Sequence, residues 1–144
     1  MNSFKPIHFF IHPVPLAAVV LTAVNDHFLK YQYPGLITGK LSDFTGLFYF
    51  PLFVCAIVVL VVRLYRKDYV FNRRLLITAL VATDVVFCLF KLNSALKSLF
   101  VDWFSHQVFT IAVASDATDL IALSASVACY YFASRFFEVK TIAE

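Results

Sequence analysis

Glycine is almost absent from this chain, 3 of 144 residues, and charge is sparse at 15%, whereas hydrophobic residues make up 61%. With a mean hydropathy of +0.81, that balance excludes an ordinary water-soluble globular domain, in which roughly a quarter of the residues are charged. Several catalytic signatures are missing as well. There is no Gly-rich phosphate loop, no His-Glu-x-x-His helix and no Gly-x-Ser-x-Gly elbow, so the corresponding nucleotide, zinc and serine chemistries have no basis here. Ser42, beside Asp43, has no base or oxyanion partner at readable spacing. Cys55, Cys88 and Cys129 each fall singly within an apolar stretch, with no close pair and no Cys/His spacing of the zinc-binding kind, and are expected to pack as small apolar residues.

Long apolar runs take the place of these features. The composition predicts an integral membrane protein, all-α, a four-transmembrane-helix bundle forming a single membrane domain over residues 1–144, because four spans of roughly 20 residues use nearly the whole chain. The first span is expected at about 14–31, opening on Pro13 and Pro15, which suit a first helical turn. Its apolar part, Val14 to Val24, has the length of a secretory signal core, but Lys5 is its one firm positive flank and Thr22-Ala23-Val24 a poor cleavage site. Tyr33-Pro34-Gly35 breaks the helix, and Thr38-Gly39 is expected to continue the turn. The second span is placed at about 43–64 with Ser42 as N-cap and a kink at Pro51. The third is placed at about 75–96 behind an Asn72 cap, and the fourth at about 107–136, longer than a bilayer requires.

Basic residues set the expected orientation. Arg63, Arg66, Lys67, Arg73 and Arg74 surround the middle connection, and Lys5, Arg135 and Lys140 lie in the tails, against Lys30, Lys40 and Lys97 elsewhere. The positive-inside rule then puts both termini and the middle connection in the cytoplasm of a multi-pass protein of the plasma membrane. Tyr31, Tyr33, Trp103 and Phe104 would form an outer aromatic belt, and Tyr65, Tyr69 and Phe71 an inner one. The net charge of +3 is dispersed along the span flanks rather than gathered in a patch, which argues against a nucleic-acid partner and for membrane lipid.

Five aspartates interrupt the apolar segments: Asp26, Asp43, Asp84, Asp116 and Asp119, with Lys30, Lys40 and Lys91 nearby. Each ionised group at the centre of a span costs about 2.5–3.5 kcal/mol on insertion scales, so these side chains are expected to turn inward and partner one another. In the expected topology they collect toward the outer side, forming a polar pocket over an apolar floor. Asp26 and Lys30 are spaced i, i+4 for a local pair, while Asp116 and Asp119, at i, i+3, repel and call for a cation: a proton, a lysine from another helix, or a metal ion. Ala112, Ser115, Asp119, Ala122, Ser126, Cys129 and Ala133 make a stripe of small residues at heptad spacing, which predicts that Asp119 faces the bundle.

Plainer readings stand beside these. Asp43 fits a helix-start carboxylate, Lys30 and Lys40 fit snorkelling interfacial lysines, His27 fits an ordinary residue near a span end, and Asp84 with Lys91 fits ion pairs that fix the register of the bundle. The stretches Asn25-Asp26-His27 with Lys30, and Gly39-Lys40-Leu41-Ser42-Asp43-Phe44 followed by Gly46-Leu47 and Pro51, resemble motifs of a family of small uncharacterised bacterial membrane proteins with four predicted spans. That resemblance implies a bacterial inner-membrane location and carries over no catalytic role.

Three functions fit this sequence. The leading expectation is an outward-facing buried site of Asp26, His27, Lys30, Lys40, Asp43, Asp84, Lys91, Asp116 and Asp119 that handles a proton, a metal cation or a small polar ligand. A divalent cation held by Asp84, Asp116 and Asp119 would support the second, a metal-assisted enzyme acting on lipid headgroups at the outer leaflet. The third is a non-catalytic accessory or immunity protein with a structural ion-pair network. Four thin spans favour a homo-oligomer or a larger membrane partner for any transport pathway.

Overall fold

A computed structural model describes residues 12–93, 95, 98 and 117–138. The protein is all-helical, and no strand occurs among the described residues.

Helix α1 (Pro13–Val24) starts at an extended His12, whose Nδ1 accepts a hydrogen bond from the Val14 N–H at 3.2 Å, and Pro13 and Pro15 occupy its first turn. Past Val24 the helix widens into a π-helical turn (Asn25–Leu29) and closes with a short α-helical stretch (Lys30–Gln32). Nothing in the periodicity foretells that π turn.

Helix α2 (Leu36–Tyr65) begins seven residues before the expected start of the second span. Gly35, extended at φ −170° and ψ 176°, precedes it, and Thr38 Oγ1 accepts from the Gly35 N–H (3.1 Å) while donating to the Tyr33 carbonyl (2.8 Å). These bonds satisfy the helix start two residues after Pro34, so Thr38-Gly39 lies in the first turn rather than in a loop, and Ser42 is no N-cap. The helix continues through the buried Pro51, whose missing N–H leaves the Leu47 carbonyl without its usual donor.

Helix α3 (Arg73–Leu92) is capped as the sequence indicates, with Asn72 Oδ1 accepting from the Leu75 N–H at 2.9 Å. It stops four residues short of the expected 96, because Asn93 turns extended and its Oδ1 accepts from the Ala95 N–H at 3.1 Å, a local turn that competes with the helix. Helix α4 (Ser124–Glu138) is preceded by a 3₁₀ helix (Ala117–Leu123) where the sequence predicts α-helix. Positions 107–116 of the expected fourth span, with Asp116, Ala112 and Ser115, and also Lys97, Trp103 and Phe104, lie outside the described residues.

Helix α2 is the hub: it packs on α1, α3 and α4, and α3 packs on α4. One apolar cluster joins Leu52, Cys55 and Val59 of α2 to Leu76, Ala79 and Leu80 of α3 and Cys129 and Ala133 of α4, with Phe71 over it. Phe71 is therefore core rather than belt. A second cluster of Leu47, Ala122 and Ala125 lies nearer the start of α2. The small-residue stripe faces inward as expected, from Asp119 through Ala122, Ser126 and Cys129 to Ala133.

Polarity is distributed inside out. Asn25, Lys91, Asp119 and Ser126 are buried, whereas Leu16 and Val20 of α1, Leu60 and Leu64 of α2, Val81 and Val85 of α3 and Val127 of α4 are exposed. Among the described residues two helices, α2 and α3, are long and apolar enough to cross a membrane.

Candidate functional site

At one end of the bundle the start of α2, the end of α3 and the 3₁₀ helix converge, each contributing charge. α2 supplies Lys40 and Asp43, three residues apart; α3 supplies Lys91 from its last turn; the 3₁₀ helix supplies Thr118 and Asp119. Lys91 Nζ donates to Asp43 Oδ2 at 2.8 Å and to Asp119 Oδ2 at 2.7 Å. Lys40 Nζ donates to the other oxygen of Asp119, Oδ1, at 2.8 Å, and also to Thr118 Oγ1. The Lys91 ammonium additionally lies 5.4 Å from the centre of the Phe87 ring, within cation–π range.

Among the described residues two ammonium groups face two carboxylates. The centre of this network is dry: the side chains of Lys91 and Asp119 are 6% and 7% exposed, against 19% for Lys40 and 23% for Asp43. In such a setting the attraction within the pairs does little more than offset the desolvation of the ions, and what it strongly opposes is the loss of one partner. Asp119 receives a lysine on each carboxylate oxygen, while Asp116, the other half of the expected pair, lies outside the described residues. Among the described residues no three His, Cys, Asp or Glu side chains group together to hold a metal ion.

The same geometry removes two plain readings. Asp43 lies in the third turn of α2, beyond reach of the free N–H groups at the helix start, and its partner is Lys91. Lys40 turns into the bundle toward Asp119 instead of snorkelling outward. Asp84 stands apart from the lysines: half-buried, it accepts from Ser126 Oγ on its Oδ1 at 2.5 Å. Lys91 is two turns further along the same face of α3 and takes different partners.

A second polar group lies between α1 and α2. Asp26 Oδ1 accepts from Lys30 Nζ (2.6 Å), the i, i+4 pair, and from Ser42 Oγ (2.5 Å). Asn25 Nδ2 donates to the Thr38 carbonyl (2.8 Å) and to Ser42 Oγ (2.7 Å). The Thr22 and Thr45 hydroxyls meet at 2.6 Å, and the Tyr49 hydroxyl lies against Thr22. His27 is exposed and joins none of these bonds. Thr22, Thr45 and Tyr49 escape a search for charge, yet Thr38, Ser42, Thr45 and Tyr49 recur at steps of four, three and four, the spacing of one helix face.

No family model, no curated protein sequence and no solved structure matches this chain.

Proposed function

We propose that the chain is a four-span protein of a bacterial inner membrane, with both termini cytoplasmic, whose Lys40–Asp119–Lys91–Asp43 network exchanges protons with the outer aqueous face. The observation that carries this reading is Lys91, buried between two carboxylates from two other elements in a molecule whose exterior is apolar. Intramembrane ionisable groups that pair with each other mark proton relays and ion pathways. A proton added to Asp43 or Asp119 would weaken its ion pair with Lys91 or Lys40 and loosen the contact of α2 with α3 and the 3₁₀ helix.

Depth supports access from water. The 30 residues of α2 extend about 45 Å, some 15 Å beyond the hydrocarbon thickness. With Arg63 and Tyr65 at the cytoplasmic interface, Lys40 and Asp43 reach the outer one, while Asp84, about 16 Å along α3 from Arg73, lies near mid-depth. A thin bundle with one such network suits a homo-oligomer or a subunit of a larger membrane assembly.

The purely structural reading also has a specific observation behind it: each of Lys40, Asp43, Lys91 and Asp119 is ion-paired. Proton flux separates the two. The purified protein is reconstituted into liposomes enclosing a pH-sensitive dye, and a pH jump is applied outside. Wild type is expected to equilibrate the lumen several-fold faster than empty liposomes, and Asp119→Asn to abolish the difference while still eluting as a folded species. Wild-type liposomes as tight as empty ones would leave the network a structural lock.

A further inference from the structure

The seam between α1 and α2 holds a polar atom that the lysine network does not use. Asn25 is 0% exposed, and its Oδ1 accepts no hydrogen bond among the described residues. The orientation of the amide is fixed by its other end: exchanging nitrogen and oxygen would set an acceptor against the Thr38 carbonyl, which has nothing to donate. Ser42 cannot supply a donor either, because its hydroxyl hydrogen goes to Asp26. A buried acceptor held in this way is costly, and native structures pair nearly all such groups. Asn25 also opens the π-helical turn, a form of helix found mostly as single turns and frequently at functional sites.

We propose that Asn25 Oδ1 anchors a binding site for a monovalent cation beside Ser42 and Asp26. Charge decides the valence. Among the described residues the seam has one carboxylate, Asp26, already matched by Lys30 at 2.6 Å, whereas divalent cations are held by several carboxylates or by phosphates. The donor atoms decide the class: amide, hydroxyl and carboxylate oxygens suit hard cations, and among the described residues no thiolate or imidazole joins the hydrogen bonds of the seam. Sodium, potassium and ammonium share this chemistry. The site does not depend on proton exchange at the lysine network.

The test is the melting temperature of the detergent-purified full chain in sodium, potassium, ammonium and N-methylglucamine chlorides at equal ionic strength. One of the three small cations is expected to raise it saturably over N-methylglucamine, by roughly 5 °C at about a hundredfold excess over Kd. The rise should vanish in Asn25→Ala and persist in Asp119→Asn. Lys30→Gln, at a side chain 39% exposed, removes a competing cation from Asp26 and should tighten apparent binding about tenfold; if Asn25→Ala does not fold, this variant decides alone. Identical melting in all four salts overturns the proposal, as does an unchanged midpoint in Lys30→Gln. A response lost in Asp119→Asn but kept in Asn25→Ala would move the ion to the lysine network and also overturn it.

Discussion

Lys91 and Asp119, 28 positions apart in the chain, are joined by a 2.7 Å hydrogen bond in the driest part of the charged network. Asp119 serves two lysines and Lys91 two carboxylates, so each is the residue whose loss leaves the most charge unmatched. Lys91→Met is expected to destabilise the protein by about 3–5 kcal/mol, since it strands carboxylates in a buried site. Adding Asp119→Asn removes one of the stranded carboxylates, so the double variant should be destabilised by roughly 1–2 kcal/mol less than the sum of the two single substitutions, the coupling energy of a double-mutant cycle of detergent unfolding. Strict additivity of the two substitutions would mean that the contact carries no stabilisation.

Asp84 and Ser126 make a simpler pair, one hydroxyl donating to one carboxylate oxygen at 2.5 Å. Ser126→Ala removes the donor to a half-buried carboxylate and is expected to cost about 1 kcal/mol, the ordinary net worth of a hydrogen bond. Asp84→Asn retains an acceptor oxygen and should lower thermal stability less than Ser126→Ala does. The opposite order in paired melting curves would show that the charge of Asp84, and not its hydrogen bond, matters.

Much of this arrangement is legible in the sequence, for a physical reason: a charged residue in an apolar run has few places to go. Asp119 sits on a stripe of small residues, and its described part, from Asp119 to Ala133, does face the bundle. The Asp26–Lys30 pair follows from helical spacing alone. The partners of Lys91 do not, because Asp43 and Asp119 come to it from other elements and their approach depends on helix register, which no local pattern encodes. Ser42 misleads for a related reason. Serine before aspartate looks like a helix start, but Pro34 and Gly35 already provide the break and Thr38 completes the cap. The expected α-helix at Ala117–Leu123 is 3₁₀ instead, a distinction too fine for apolar periodicity, and the polar face Thr38, Ser42, Thr45, Tyr49 passes unnoticed because hydroxyls cost little in a span.

Cys55 and Cys129 are 0% exposed, whereas Cys88 is partly exposed and borders a hollow on α3 with Asp84, Leu89 and Asn93. Burial in apolar surroundings makes a thiol inert. N-ethylmaleimide applied to the folded protein is therefore expected to give one adduct, at Cys88, and full labelling of the 3 cysteines after denaturation in SDS. Mass spectrometry of the peptides reads the result, and native modification of Cys55 or Cys129 would contradict the core drawn around Leu52 and Leu76.

The α1–α2 turn and the α2–α3 connection lie at opposite ends of a 30-residue helix, about 45 Å apart. If α2 spans the membrane in the orientation set by Arg63, Arg66, Lys67, Arg73 and Arg74, the two connections face opposite compartments. In a background with the native cysteines replaced by alanine, Gln32→Cys should react with a membrane-impermeant maleimide added to intact cells, and Lys67→Cys should react only after permeabilisation. Labelling of both in intact cells would mean that α2 does not cross. The reverse pattern would turn the bundle over, set Lys40, Asp43, Lys91 and Asp119 on the cytoplasmic side, and make any proton exchange at the network an exchange with the cell interior.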